Sequence, residues 1–198
     1  EVEVPYARCQ HSSGYRGCAH GWRFRNWGEG YCSGMCMTSL ELYAAGKKAI
    51  NYNKNDPYPI PDPSYLATHW GQSPTCGEEI MHKHWWFAAH VLKKYLTILE
   101  WSSVINPLYY GVQRVTFFYS GLQEGHSIVV SSCVHPDGTD TYYFYGYDPN
   151  TPLYDPDGPS RGYSSDFLDG VVTPVLWTQG FEFQTASGTV YIVDIGFP

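Results

Sequence analysis

The stretch NWGEGYCSGMCMTSLELY, from Asn26 to Tyr43, carries a thiol where a glycine-rich loop changes into apolar residues with helical spacing. Free cysteine is a small hydrophobic residue that is often buried, so Cys32 could serve packing alone. The other interpretation is chemical, because the N-terminus of a helix lowers the pKa of a thiol and makes it nucleophilic. The choice depends on whether the rest of the chain supplies a base.

The composition indicates a folded, extracellular protein. Of its 198 residues, 43% are hydrophobic and 17% aromatic, while only 16% are charged. The net charge of −7 and the absence of a Lys/Arg run argue against a nucleic-acid partner. No stretch approaches the length of a membrane span. The chain starts at Glu1 without a basic, apolar leader, so we expect a secreted protein whose leader has been removed.

The six cysteines suggest a mixture of thiols and disulfides. If Cys32 stays free, at least one other cysteine is unpaired, and Cys36, one helical turn later, is the expected buried thiol. The sequence does not choose among the remaining connectivities. The bridges left open are Cys9–Cys18 and Cys76–Cys133.

Two helices are predicted in the N-terminal half. Apolar spacings of three and four predict the first from Ser33 to about Ile50. The connector at residues 51–64 contains four prolines, which exclude a helix and predict a surface loop. A second helix is predicted from about Glu78 to Ser103 with one apolar stripe. The members of that stripe are Met81, Trp85, Ala88, Leu92, Tyr95, Leu96 and Leu99.

The C-terminal half is predicted to be a sheet. GHSIVVSSCVH (125–135) and TYYFYGYD (141–148) flank the turn signal Asp137-Gly138 and predict a hairpin. FEFQT (181–185) and TVYIVDIGF (189–197) predict two further strands.

Helices followed by an antiparallel sheet predict an α+β fold. We expect a single domain over residues 1–198, with a helical lobe at about 1–108 and a β lobe at about 109–198.

Three separated residues fit thiol chemistry. Cys32 lies at the predicted helix start, His126 opens a strand in GHSIVV, and Asp148 follows the next strand in YGYDPN. A thiol nucleophile needs an imidazole to take and return its proton and a carboxylate to orient the ring. A hairpin can bring the entry of one strand beside the exit of the next. Asn26 could add an amide donor for an oxyanion, beside the backbone N–H of Cys32.

These motifs resemble the papain-like cysteine peptidase superfamily. N-x-x-x-G-x-C-x-G-M before a helix, then G-H-x-[IV]-V-V and Y-D-P-N, are most similar to its bacterial extracellular members. The resemblance covers residues 22–43 and 124–152, and elsewhere it is architectural. It implies a two-lobe fold with the site in the groove between the lobes. The sequence departs from the plant-type signature, and Ser127 stands where Ala is common.

The resemblance also implies the function. Cys32 would be the nucleophile, His126 the base, Asp148 the orienting group and Asn26 the oxyanion-hole amide of a secreted peptidase. The expected partner is a peptide or protein substrate, and no metal or organic cofactor is required. We expect Trp27, Tyr31 and Trp177 to line the cleft, the first two because they lie close to the motif and the last because it is isolated in a loop. These are the predicted substrate-binding residues.

Other interpretations remain open. The same triad could pass an acyl group to an amine, as in transglutaminase-like enzymes, or an aromatic-rich module could keep the fold and only bind. His126 alone could be a core histidine, and Asp148 alone a turn residue. Cys36 is the rival nucleophile, but it lies deeper in the helix. The histidines of the second helix are interpreted as ordinary surface or stripe-edge residues: His82, His84 and His90.

Overall fold

A computed structural model of the protein describes residues 14–28, 30–92, 111–119, 125–134, 143–150, 176–178, 182–185 and 188–196. In these ranges every helix precedes residue 93 and every strand follows residue 112. The combination of helices with an antiparallel sheet confirms the predicted α+β class.

The helices are α1 (Gly17–His20), α2 (Cys32–Ala44), α3 (Pro63–Thr68) and α4 (Cys76–Phe87), with a 3-10 turn at Ala49–Asn51 and a π-helical turn at Ala88–Leu92. The strands are β1 (Gln113–Tyr119), β2 (Gly125–Val134), β3 (Tyr143–Tyr147), β4 (Leu176–Thr178), β5 (Glu182–Thr185) and β6 (Gly188–Gly196).

Helix α2, which begins at Cys32, is shorter than predicted. It begins at Cys32 and ends at Ala44 instead of about Ile50. Gly46 has φ +67°, a left-handed conformation that glycine adopts without steric cost and that ends helices. The N–H of Lys47 then donates to the carbonyl of Leu42 at 2.7 Å. The apolar spacing in the sequence continues past this point, but the helical backbone ends at Ala44.

The proline-rich connector was wrongly predicted to be free of helix. Its last two residues, Pro63 and Ser64, begin α3. The Asp62 carboxylate accepts from the N–H of Ser64 at 2.7 Å and caps the helix. Proline is favourable at the first helical position, because its missing N–H would have no partner there.

Helix α4 begins at Cys76, two residues before the predicted start at Glu78, and buries a different face from the predicted one. Thr75 and Glu78 form a reciprocal capping box at its start. The predicted stripe is wrong, because Met81 is 36% and Trp85 51% exposed. The apolar side chains that are buried are Cys76, Ile80 and Phe87. Residues 93–103 of the predicted helix lie outside the described ranges.

The close approach of α4 to α2 determines which face of α4 is buried. A Cβ built on Gly34 would lie 1.9 Å from the carbonyl oxygen of Ile80 and 3.0 Å from the N atom of His84. The two helices therefore cross with backbone against backbone at Gly34. This crossing turns Ile80 inward and leaves Trp85 towards solvent.

The described strands form one six-stranded antiparallel sheet in the order β3-β2-β1-β6-β5-β4. The predicted β2–β3 hairpin and the β5 and β6 strands are confirmed, while the turn at Asp137-Gly138 lies outside the described residues. Strands β1 and β4 were not predicted. Strand β1 is central, since it pairs with both β2 and β6.

Helix α2 packs directly on β2. The Cys36 thiol donates to the carbonyl of Ser127 at 3.3 Å, and both residues are buried. The hydroxyl of Ser127 is in turn 2.8 Å from that of Thr116 on β1. This contact places the residue before Ser127, which is His126, beside the N-terminus of α2. In the described part of the chain, no helix has both the length and the apolar character of a membrane span.

Candidate active site

Cys32 is the first residue of α2 and is 8% exposed. Burial alone would raise the pKa of its thiol. The hydrogen bond and the charge of His126, with backbone N–H groups of Ser127 and Ser33, outweigh this effect, so the pKa lies below its ordinary value. The first N–H groups of a helix have no partner within it, which adds a favourable field for a thiolate.

The structure brings His126 and Asp148 together, as the sequence predicts. His126 is the second residue of β2, and Asp148 directly follows β3. The His126 Nε2 atom lies 2.7 Å from the Asp148 Oδ1 atom. A carboxylate only accepts, so Nε2 carries the proton in this bond. The other ring nitrogen, Nδ1, is left to form the hydrogen bond with Cys32.

The imidazole is strongly biased towards its charged form. Burial would lower the pKa of His126, but the hydrogen bonds to Asp148 and Cys32, together with their negative charges, raise it to about 10. The thiol pKa moves down and the imidazole pKa moves up. This combination corresponds to a thiolate–imidazolium pair held in place by a carboxylate.

Cys36, the rival nucleophile, has the opposite electrostatics. It is fully buried, and burial together with the charge of Cys32 raises the pKa of its thiol well above the ordinary value. Its sulfur faces the carbonyl of Ser127. Cys36 is therefore a structural thiol, as expected.

Asn26 lies next to the triad, but its amide is engaged differently from the prediction. Its Oδ1 atom accepts from the N–H of Tyr31 at 2.6 Å, and its Nδ2 atom donates to Asn150 Oδ1 at 3.0 Å. Its own backbone N–H donates to the carbonyl of Pro149 at 2.9 Å. One amide hydrogen is thus committed to Asn150, and the oxyanion role stays a prediction.

The predicted cleft residues separate into two groups. Trp27 and Tyr31 are half-buried beside the site, with ring centroids 5.3 Å apart, and the Lys54 ammonium lies 4.9 Å from the Trp27 ring centroid. Trp177 lies in strand β4, opposite Phe183, and not in a loop as we predicted. Its side chain is outside the described part of the structure.

The sequence prediction missed His84. Its Nδ1 atom is 2.7 Å from the hydroxyl of Ser33, the residue after Cys32. Its ring is 5.4 Å from Tyr31 and 5.3 Å from Trp85, measured between centroids. Burial lowers its pKa. The signal was present, since His84 continues the spacing of Ile80 and Phe87, but the wrong helical phase concealed it.

The bridge Cys76–Cys133, one of the pairings that the sequence left open, does not form. Cys76 is a buried free thiol at the start of α4, and its sulfur faces the carbonyl of Pro57 at 3.9 Å. Cys32 and Cys36 are also free. Cys9 and the side chain of Cys18 lie outside what the structure describes. Among the described residues, no three His, Cys, Asp or Glu side chains are grouped to hold a metal.

No protein-family model matches the chain, and no curated protein matches it significantly. The function is therefore inferred from the site itself.

Proposed function

We propose that the protein is a cysteine peptidase of the papain-like type that hydrolyses peptide bonds through Cys32, His126 and Asp148. The observation that carries the proposal is the contiguous thiol–imidazole–carboxylate arrangement, with the sulfur at a helix N-terminus. The pKa shifts support the proposal, because a lowered Cys32 pKa and a raised His126 pKa favour the reactive thiolate–imidazolium pair. An extracellular setting, expected from the composition, belongs to the same proposal.

The reaction follows from the protonation states. The Cys32 thiolate attacks the carbonyl carbon of the substrate amide, and the carbonyl electrons move to oxygen. The backbone N–H of Cys32 is an available donor for that oxyanion, because helix N-termini leave their first N–H groups without helical partners. The oxyanion electrons then re-form the carbonyl, the carbon–nitrogen bond breaks as the His126 imidazolium gives its proton to the leaving amine, and an acyl-thioester remains.

The second half of the reaction regenerates the thiolate. Neutral His126 takes a proton from water, the hydroxide adds to the thioester carbon, and the carbon–sulfur bond breaks to release the acid. Asp148 holds Nε2 protonated throughout, so that Nδ1 is the nitrogen that exchanges protons with sulfur, amine and water.

The test compares Cys32→Ala with Cys36→Ala in a peptide-library or casein assay. We expect Cys32→Ala to abolish cleavage and Cys36→Ala to retain it, apart from a loss of stability from the buried cavity. Loss of activity only in Cys36→Ala would overturn the assignment. Product analysis with and without an added amine distinguishes hydrolysis from acyl transfer.

A further inference from the structure

A series of hydrogen bonds through two asparagines links Asp148 back to the residue before Cys32. Asn150 donates its backbone N–H to Asp148 Oδ1 at 2.8 Å, the same oxygen that accepts from His126. The side chain of Asn150 accepts from Asn26. Asn26 returns to α2 through the N–H of Tyr31, the residue before Cys32.

The orientation of both amides is fixed by this geometry. The backbone N–H of Tyr31 can only donate, so the Asn26 atom 2.6 Å away must be oxygen. Its nitrogen then points to Asn150, whose facing atom must be oxygen. The direction of each bond therefore follows from a single backbone donor.

A second bond ties the same two segments at the backbone. The N–H of Asn26 donates to the carbonyl of Pro149 at 2.9 Å. Asn26 thus binds the turn after β3 through both its main chain and its side chain. Its side-chain partner, Asn150, is 124 residues away in the sequence. The turn carries Asp148, and the loop of Asn26 leads into Cys32.

We propose that Asn26 and Asn150 are positioning residues that clamp the Asp148 turn to the start of α2 and so hold the thiol, imidazole and carboxylate in line. This inference rests on the proposed function for its purpose. It differs from the oxyanion role predicted for Asn26. Here the Asn26 amide binds groups of the protein itself, the Tyr31 N–H and the Asn150 side chain, instead of the substrate, and Asn150 is as important as Asn26.

Alkylation by iodoacetamide separates the two roles. Alkylation is a displacement at a saturated carbon: the Cys32 thiolate forms a carbon–sulfur bond as iodide leaves. No oxyanion develops, so an oxyanion-hole residue has no effect on the rate. A residue that positions His126 against the sulfur does affect the alkylation rate, because the contact with His126 lowers the Cys32 pKa and so increases the thiolate fraction.

The experiment measures the alkylation rate of Cys32 against pH in the full-length protein for Asn26→Ala, Asn150→Ala, the double variant and Asn150→Asp. We expect Asn150→Ala, which loses one side-chain hydrogen bond, to slow alkylation at mildly acidic pH by about threefold to tenfold. Asn26→Ala loses two such bonds and should slow it by at least as much. The double variant should lose no more than about the larger single effect, since both break the same series of hydrogen bonds. Asn150→Asp keeps an acceptor for Asn26 and should stay near the wild-type rate.

The control is Asn51→Asp at an exposed position, which makes the same amide-to-carboxylate change. Unchanged alkylation in both alanine variants would overturn the clamp, and lost peptide cleavage with Asn26→Ala alone would then favour the oxyanion role. Equal losses in Asn150→Asp and Asn150→Ala would also contradict it. If Asn26→Ala does not fold, the two Asn150 variants decide. A wild-type Cys32 that alkylates like an ordinary thiol would instead contradict the proposed function.

Discussion

The reactivity of Cys32 depends on one neighbouring ring. Burial would make this thiol a weak nucleophile, and the contact with His126 reverses that tendency. Cys36, one turn away, lacks such a contact and has the opposite pKa shift. Both cysteines contact the hairpin, but only Cys32 meets the imidazole that it carries, and their chemistry is therefore opposite.

The pH dependence of hydrolysis follows from these shifts. We expect activity to fall on the acid side when Cys32 binds a proton, below the ordinary thiol range because its pKa is lowered. It should fall on the alkaline side as His126 loses its proton near pH 10, since its pKa is raised to about 10. Initial rates from pH 4 to 11 measure both limbs. A single rise near the ordinary thiol pKa would contradict the ion pair.

Replacement of the base should reverse the thiol shift. In His126→Ala the hydrogen bond and charge that lower the Cys32 pKa are gone, while burial still raises it. Alkylation of Cys32 should therefore begin at higher pH than in the wild type, and hydrolysis should fall by at least about 100-fold. His82→Ala, on the exposed side of α4, is the matched control. An alkylation profile unchanged by His126→Ala would be decisive against the assignment.

Loss of the Asp148 carboxylate should change activity by lowering the His126 pKa. Asp148→Asn removes the negative charge that helps to raise the His126 pKa. The alkaline limb of the pH profile should move to lower pH, and the rate should fall, while the fold is retained. A lower rate without any movement of that limb would mean that Asp148 acts only as a turn residue.

At the scale of elements, the contact between α2 and α4 explains why a glycine stands two residues after Cys32. Gly34 lets the backbone of Ile80 approach, and this contact fixes which side of α4 is buried. His84 and Tyr31 are thereby brought together beside Cys32. The motif residue after Ser33 is thus needed for packing and not for chemistry.

Gly34→Ala should destabilise the protein despite the better helix propensity of alanine. The added Cβ would overlap the Ile80 carbonyl oxygen, so the helices must separate. Such overpacking costs about 1–3 kcal/mol of unfolding free energy. Denaturant unfolding measures the loss.

Gly46→Ala is the control, because no heavy atom of the described residues lies within 4 Å of its Cβ position and the strain there comes from the φ of +67°. Its cost should be about 1–2 kcal/mol from backbone strain alone. If Gly34→Ala were as stable as the wild type, the close crossing of α2 and α4 would be wrong.

At the scale of the whole molecule, burial decides which thiols can react. Cys36 and Cys76 are fully buried, whereas Cys32 is 8% exposed next to its base. Helix α4 also contacts the sheet, with the Arg114 guanidinium 4.7 Å from the ring centroid of Phe87. Access to the buried thiols therefore requires the helices and the sheet to open.

Alkylation with mass detection tests this hierarchy. We expect the folded protein, without reductant, to take up label first at Cys32. Denaturation without reductant should then expose the free thiols Cys36 and Cys76 as well. Peptide mapping identifies the sites. Recovery of Cys76 in a disulfide-linked peptide would contradict the structure.

The sequence by itself determined the locally encoded parts of this protein. A glycine loop before apolar residues located the thiol at a helix start, and alternating residues around a turn signal located β2 and β3 with His126 and Asp148. It placed the wrong face of α4 in the core, and it did not predict strand β1 or the hydrogen bond between Asn26 and Asn150. Those features depend on tertiary partners: Gly34 for the buried face of α4, β2 and β6 for the pairing of β1, and Asn150 for the Asn26 side chain. Periodicity records which residues can be buried, but only tertiary contacts decide which of them are.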